Sequence, residues 1–231
     1  MKLVRINKYN MKKELGALRR SSSLSDPALE SDVRVIVDDV RKKGDRALFR
    51  YTKKFDKLDI DSTNIKVRKN EIENASSRIP ERLMADIKSA ARRIRTFHKE
   101  KLPQASTVKD KLGNEVGWVI RPVERAGLYV PGGKAAYPST VLMTAIPAKV
   151  AGVEEVIVTT PCPGGDLNPA VLAACDVAGV DSVYKIGGAQ AVAALAYGTE
   201  SVPKVDVIVG PGNIYVTIAK KLVFGEVDID M

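Results

Sequence analysis

Between Ala126 and Gly225, short apolar runs of β-type residues alternate with helix-type runs. Three of the junctions are glycine turns: Gly127-Leu-Tyr-Val-Pro-Gly-Gly133, Gly187-Gly-Ala-Gln-Ala191 and Gly210-Pro-Gly-Asn213. Few architectures admit this pattern. Strands of about five residues separated by helices of about ten build βαβ units, with a parallel sheet and right-handed crossovers. The strands read as 126–130, 155–160, 182–186 and 205–209, and the helices as 138–152, 169–178, 189–197 and 213–223. A further strand-like run starts at Glu226 and reaches Met231 unfinished. Asn168 caps the second helix with Pro169 in its first turn, and Pro147 removes one backbone hydrogen bond from the first and kinks it.

In an open parallel sheet, ligands bind beyond the carboxyl ends of the strands, where all three turns fall. Helix starts at such turns aim backbone N–H groups at a phosphate-bearing ligand. Gly132-Gly133 and Gly187-Gly188 let backbone approach a ligand without a Cβ clash. Tyr129, at a strand end, can cover a flat ring or donate its hydroxyl. Gln190 offers a donor and an acceptor, and Asn213 can cap the last helix or point at a ligand. None of the turns has G-x-G-x-x-G spacing, and no acidic residue occupies the usual ribose-binding place about 20 residues after the first turn. A structural reading of the glycines stands beside the nucleotide reading.

Residues 1–125 are patterned differently. Residues 1–24 form an arm or short helix. Ser25 or Asp26 caps a helix with Pro27 in its first turn and Leu29, Val33, Ile36, Val37 and Val40 on one stripe, ending at Gly44. Asp45 caps a second helix through Phe55, Ile65–Arg68 reads as a short strand, and Asn70 caps a helix starting at Glu71 that Pro80 interrupts. An amphipathic helix covers 80–102, and Lys111–Glu115 turns a hairpin into a strand from Val116. These helices have too few apolar faces to close a core among themselves and are expected to pack on segments beyond residue 231.

Charge divides along the same line. Residues 1–115 hold 29 Lys and Arg against 17 Asp and Glu, a net +12, whereas 116–231 hold 8 against 11, a net −3. Acidic residues interleave throughout the basic half, which reads as a solvated helical surface rather than a nucleic-acid footprint. No run of about 18 apolar residues spans a membrane and the N-terminus has no signal peptide, so a cytoplasmic protein is expected. Cys162 and Cys175 fit no metal spacing and read as a thiol without a role and a small buried hydrophobe. His98 is the only histidine, so no histidine-based metal site or catalytic triad can be assembled from this chain.

At the glycine turns the sequence closely resembles histidinol dehydrogenase. The resemblance runs through the first turn, Tyr137–Val153, Gly187–Thr199 and Val209–Val216, and in the first half through Gly44–Leu48, Tyr51–Asp56 and Phe97-His98. It implies a zinc- and NAD-dependent homodimer that oxidises L-histidinol through the aldehyde to L-histidine. Carried over by motif, it makes Tyr129, Gln190 and Asn213 the NAD contacts and gives His98 a structural role. It also implies an α/β fold with a Rossmann-like domain over 126–231, preceded by residues 1–125 as the helix-rich part of a second, discontinuous α/β domain.

Family members continue past Met231 with a Gly-Pro-Ser-Glu segment, then the zinc ligands, a Glu-His pair that handles protons, and most substrate contacts. The resemblance therefore implies an N-terminal part of the enzyme, with no catalytic residue or metal ligand in this chain and no activity alone. The alternative is a non-catalytic nucleotide- or partner-binding module.

Overall fold

The computed structural model of the chain describes residues 7–12, 26–132 and 136–230. Residues 7–12 open on a turn in which Asn7 Oδ1 accepts from the Tyr9 and Asn10 amides at 2.9 and 3.1 Å. The rest of the N-terminal arm, Ser25, Gly133 and Met231 lie outside the described residues.

Helix α1 (Pro27–Lys43) starts where Asp26 Oδ1 accepts from Ala28 N and Leu29 N at 3.0 and 3.4 Å, and ends where the Gly44 N–H returns to Val40 O. Helix α2 (Asp45–Asp56) is not capped by Asp45 as expected; Gly44 holds that position. The loop before residue 202 replaces the local cap. Asp45 N donates to Glu200 Oε2 at 2.8 Å, and the Asp45 carboxylate accepts from Ser201 N at 3.3 Å.

Helix α3 (Lys69–Glu73) starts earlier than the expected Asn70 cap, because the Glu71 carboxylate reaches back to Arg68 N at 3.0 Å. A 3₁₀ turn (Asn74–Arg78) leads to Pro80 and the long helix α4 (Glu81–Lys99). The hairpin of β1 (Ser106–Lys109) and β2 (Glu115–Trp118) follows, antiparallel with Ser106 opposite Trp118. Every residue from 101 to 124 is exposed.

The α/β series then runs β3 (Arg125–Tyr129), α5 (Pro138–Ala151), β4 (Glu155–Thr159), α6 (Pro169–Ala178), β5 (Ser182–Tyr184), α7 (Gly188–Tyr197), β6 (Val207–Val209), α8 (Ile214–Val223) and β7 (Asp228–Ile229). The sheet order is β5-β4-β3-β6-β7, and each pairing is parallel. The chain starts at the central strand, winds one way through β4 and β5, then crosses back to β6 on the far side of β3. The order reverses between β3 and β6, which makes their carboxyl ends the switch-point crevice of a doubly wound sheet. Ile65–Arg68, expected as a strand, makes a single antiparallel bridge to β5 at Lys66 opposite Tyr184, with Val67 N to Val183 O at 2.8 Å and Lys185 N to Ile65 O at 2.9 Å. It covers a sheet edge.

The N-terminal helices find their apolar partners within this chain, contrary to the expectation that those lie beyond residue 231. Val33, Ile36, Val37, Val40 and Leu48 of α1 and α2 share a core with α7 and α8 on one face of the sheet. Ile72, Ala75, Ile87 and Ala91 join α5 and α6 on the other. The sheet-flanking helices are apolar on nearly all sides: α6 buries Ala170–Cys175 and α7 buries every residue from Ala189 to Ala196. Such helices need an outer layer, and α1, α2 and α4 provide it. Among the described residues no helix is long and apolar enough to cross a membrane.

Candidate functional site

The carboxyl ends of β3, β4, β5 and β6 open into a cleft of about 490 Å³ lined by Tyr129, Gly132, Pro161, Gln190 and Asn213, with Asp56 at the end of α2. A second hollow of about 410 Å³ shares Gly132, Pro161 and Pro163 with it and continues toward Asn168 and Arg78, so the two form one groove along the rim. The volumes suit a small organic ligand or cofactor.

Protein neighbours account for the glycines that define the rim. Gly210 has φ +125°, and a Cβ there would lie 2.1 Å from Tyr129 O. A side chain at this position would push β6 away from β3 at the switch point. A Cβ on Gly187 would lie 2.4 Å from Pro161 Cβ. Both positions are glycine because neighbouring backbone and Pro161 occupy the space, whatever ligand the cleft takes.

The turns are also tied to each other. The Gly188 N–H donates to the Tyr129 hydroxyl at 3.0 Å, linking the turns after β3 and β5. Tyr129 is 3% exposed, so its ring belongs to the core rather than to an open stacking platform. Burial pushes its phenol up, the Gly188 N–H pulls it back, and the Asp56 carboxylate pushes it up further. The Gly210 turn is held by Lys220, 3% exposed, whose Nζ donates to Gly210 O at 3.1 Å and pairs with the Asp230 carboxylate. Asp230 Oδ2 accepts from Gly210 N at 2.7 Å, closing the arrangement. Asn213 takes the capping alternative: its Oδ1 accepts from Val216 N at 3.1 Å, leaving its amide NH₂ at the cleft.

Gln190 is different. Its side chain is 1% exposed, and neither Oε1 nor Nε2 has a hydrogen-bond partner. Buried polar groups without partners are rare and each costs about 1–3 kcal/mol. Among the described residues the buried side-chain atoms in this condition are Asp56 Oδ2, Thr159 Oγ1 and the two of Gln190. Three of those four belong to residues that line the cleft. The cleft thus holds an unsatisfied amide and an unsatisfied carboxylate oxygen, a set that fits the hydroxyls, amides and ring nitrogens of a dinucleotide such as NAD.

The structure brings Tyr129, Gln190 and Asn213 to one cleft, as their places after three separate strands imply. It adds Asp56, Pro161 and Tyr215, which sequence reasoning passed over; the polar ending of the Tyr51–Asp56 motif was the available signal for Asp56. His98 packs edge-on against Phe97, with ring centroids 5.2 Å apart, and does not line the cleft. Cys162 and Cys175 are buried, and burial pushes their thiols up to about 11 and about 12, so neither is a ready nucleophile. Among the described residues no group of three or more His, Cys, Asp or Glu is placed to hold a metal ion.

Known proteins of one family match this chain in sequence and in fold. The family model for histidinol dehydrogenase matches residues 18–231. The histidinol dehydrogenase of Syntrophotalea carbinolica is 51% identical over 231 residues, covering 100% of this chain and 54% of that protein. That of Methanococcus maripaludis is 53% identical over 227 residues, covering 98% and 53%. Among solved structures, the histidinol dehydrogenase of Elizabethkingia anophelis superposes with a TM-score of 0.83 at 39% identity, over 88% of this chain and 47% of that one. The chain spans about half the length of the curated relatives it matches. A family match over nearly the whole chain, joined to the same fold in a solved relative, makes this chain a member of the histidinol dehydrogenase family, which is a family of oxidoreductases.

Proposed function

We propose that this chain forms the NAD-binding part of a histidinol dehydrogenase, an enzyme that oxidises L-histidinol through the aldehyde to L-histidine while reducing two NAD in succession. The observation that carries the proposal is the Gln190 amide, buried without a partner in the switch-point cleft. A ligand presenting both a donor and an acceptor relieves it. When bound, the nicotinamide ring supplies the hydride acceptor; the chain's own residues bind and orient the cofactor.

Gln190 donates through Nε2 and accepts through Oε1. Tyr129 keeps its hydroxyl oxygen on Gly188 N and has the hydroxyl proton left to donate, so it contributes a hydrogen bond rather than a stacking face. Asn213 donates from the amide NH₂ that its capping bond leaves unused. Pro161 and Pro163 line one side of the cleft and offer no backbone N–H donor there. We assign this NAD side to residues 126–231, and residues 1–125 to a second domain that buttresses it.

Alcohol oxidation also needs a base and a Lewis acid beside the carbinol. The family's zinc has no ligand set among the described residues, and His98 stands away from the cleft, so the 231-residue chain alone is proposed to bind NAD without turning it over. Homodimerisation is proposed on the exposed apolar side chains of Val108, Val116 and Trp118 on the hairpin. The test is a calorimetric titration of NAD into the purified chain. The expected result is saturable binding that weakens in Gln190→Ala and Asn213→Ala, with no histidinol-dependent NADH. Equal affinity in both variants and the wild type would overturn the cofactor reading; NADH formation would overturn the claim of inactivity.

A further inference from the structure

We propose that Asp56 is a specificity-determining residue of this cleft, the carboxylate that receives the ribose hydroxyls of the dinucleotide and excludes a 2′-phosphorylated one. This rests on the NAD reading and deepens it.

In a doubly wound sheet of this kind, the ribose is held by an acidic side chain at the carboxyl end of the strand beside the first one. That strand is β4, and its end carries Thr159 and Thr160 instead. Glu155, the acidic residue of β4, begins the strand, at the opposite end of the sheet from the rim, and is paired with Arg125 at 2.8 Å. The position is therefore empty of charge where a ribose needs an acceptor.

Asp56 brings a carboxylate to the same rim from another element. It is the last residue of α2 and lines the cleft beside Tyr129, Gly188 and Gln190. Its Oδ2 is buried and has no hydrogen-bond partner, and no cation among the described residues forms an ion pair with it. Folding stability gives no reason for a carboxylate here. The carboxyl end of a helix is its negative end and disfavours an acid. Burial raises the carboxyl group above its ordinary range. The next residue, Lys57, ends the helix in the left-handed conformation at φ +56°, an ordinary helix stop. A buried carboxylate oxygen without a partner, at the negative end of a helix and lining the cleft, is what a side chain held ready for a ligand shows.

The chemistry narrows the ligand. An ionised carboxylate only accepts hydrogen bonds, so it wants hydroxyl or amide donors. The neighbouring Gln190 serves a group with both donor and acceptor character. A ribose with free 2′ and 3′ hydroxyls satisfies the first demand. A 2′-phosphate would place roughly −2 of charge against a carboxylate that has no compensating cation.

The test measures NAD and NADP binding to the full 231-residue chain by equilibrium dialysis, with thermal midpoints recorded, for wild type, Asp56→Asn and Gln190→Ala. Wild type is expected to prefer NAD over NADP by about tenfold or more, as loss of a charge-assisted hydrogen bond implies. Asp56→Asn should weaken NAD by about tenfold and bring the two cofactors to within about threefold of each other, with a thermal midpoint at or above wild type. Unchanged NAD affinity in Asp56→Asn, alongside weakened binding in Gln190→Ala, overturns this inference and leaves the cofactor reading standing. No NAD binding by wild type overturns the cofactor reading itself. A lowered midpoint together with weakened binding in Asp56→Asn assigns Asp56 to the scaffold and also overturns the inference.

Discussion

Gln190 and Asp56 carry polar atoms that the fold buries and leaves without partners, and Lys220 shows how the same fold treats a buried charge it uses for itself. Lys220 Nζ has both Gly210 O and Asp230 as partners. Removing one member of such a pair leaves the other exposed to the full desolvation penalty. Lys220→Met should therefore destabilise the chain by about 3 kcal/mol in urea denaturation, more than a surface lysine ever does. Asp56 behaves in the opposite way. Its pKa is raised above the ordinary 3.8 chiefly by burial, so the ionised form is the unfavourable one. The sign follows from linkage: the folded state holds the proton more tightly than the unfolded state, and the burden is present at neutral pH and relieved as pH falls through the folded value. Asp56→Asn should raise the thermal midpoint by about 1–3 °C at pH 7. The gain should shrink toward zero at about pH 4 and below, as both forms become neutral. A gain that grows on acidification would contradict the assignment. Tyr129, Gln190 and Asn213 were legible in the sequence because each flanks a glycine turn after an apolar run. Asp56 was marked in the sequence only as the polar end of the Tyr51–Asp56 motif; the docking of α2 against α7 is what brings it to the rim.

At the scale of elements, the alternation from Ala126 onward left little freedom, and α6 fell on its expected residues, Pro169–Ala178. Caps that rest on neighbours in space were less readable. Asp45 sits beside a glycine cap because Glu200 and Ser201 supply its partners, an arrangement spanning about 155 residues of sequence. The partners of the N-terminal helices were misjudged for a related reason: α6 and α7 are so apolar that they need covering on their outer sides, and their own sequences do not say by what. The hairpin is the exception to this packing. Val108, Val116 and Trp118 are 70%, 74% and 63% exposed, and Trp118 Nε1 bonds only to Gln104 O at 3.2 Å. Within this chain the hairpin contributes almost no burial. Trp118→Ser should change stability by less than about 0.5 kcal/mol, measured by urea denaturation at a concentration low enough to keep the 231-residue chain monomeric. A loss of several times that amount would show that the hairpin packs on the body.

For the molecule as a whole, a parallel sheet sandwiched between two helical layers places the switch point between β3 and β6 at the centre of the rim, and the cleft opens there. The outer layer of α1 and α2 closes one core and delivers Asp56; the layer of α4 closes the other. Both cores contain residues from before and after position 125, so the part that delivers Asp56 and the sheet that carries the rim share their packing. A dinucleotide is proposed to complete the unsatisfied Gln190 amide. A crystal structure of the chain grown with NAD tests it most directly. Ligand density is expected in the groove, with polar ligand atoms within about 3.2 Å of the Gln190 amide. Density for NAD elsewhere, with Gln190 still unpartnered or bridged only to protein, would contradict it.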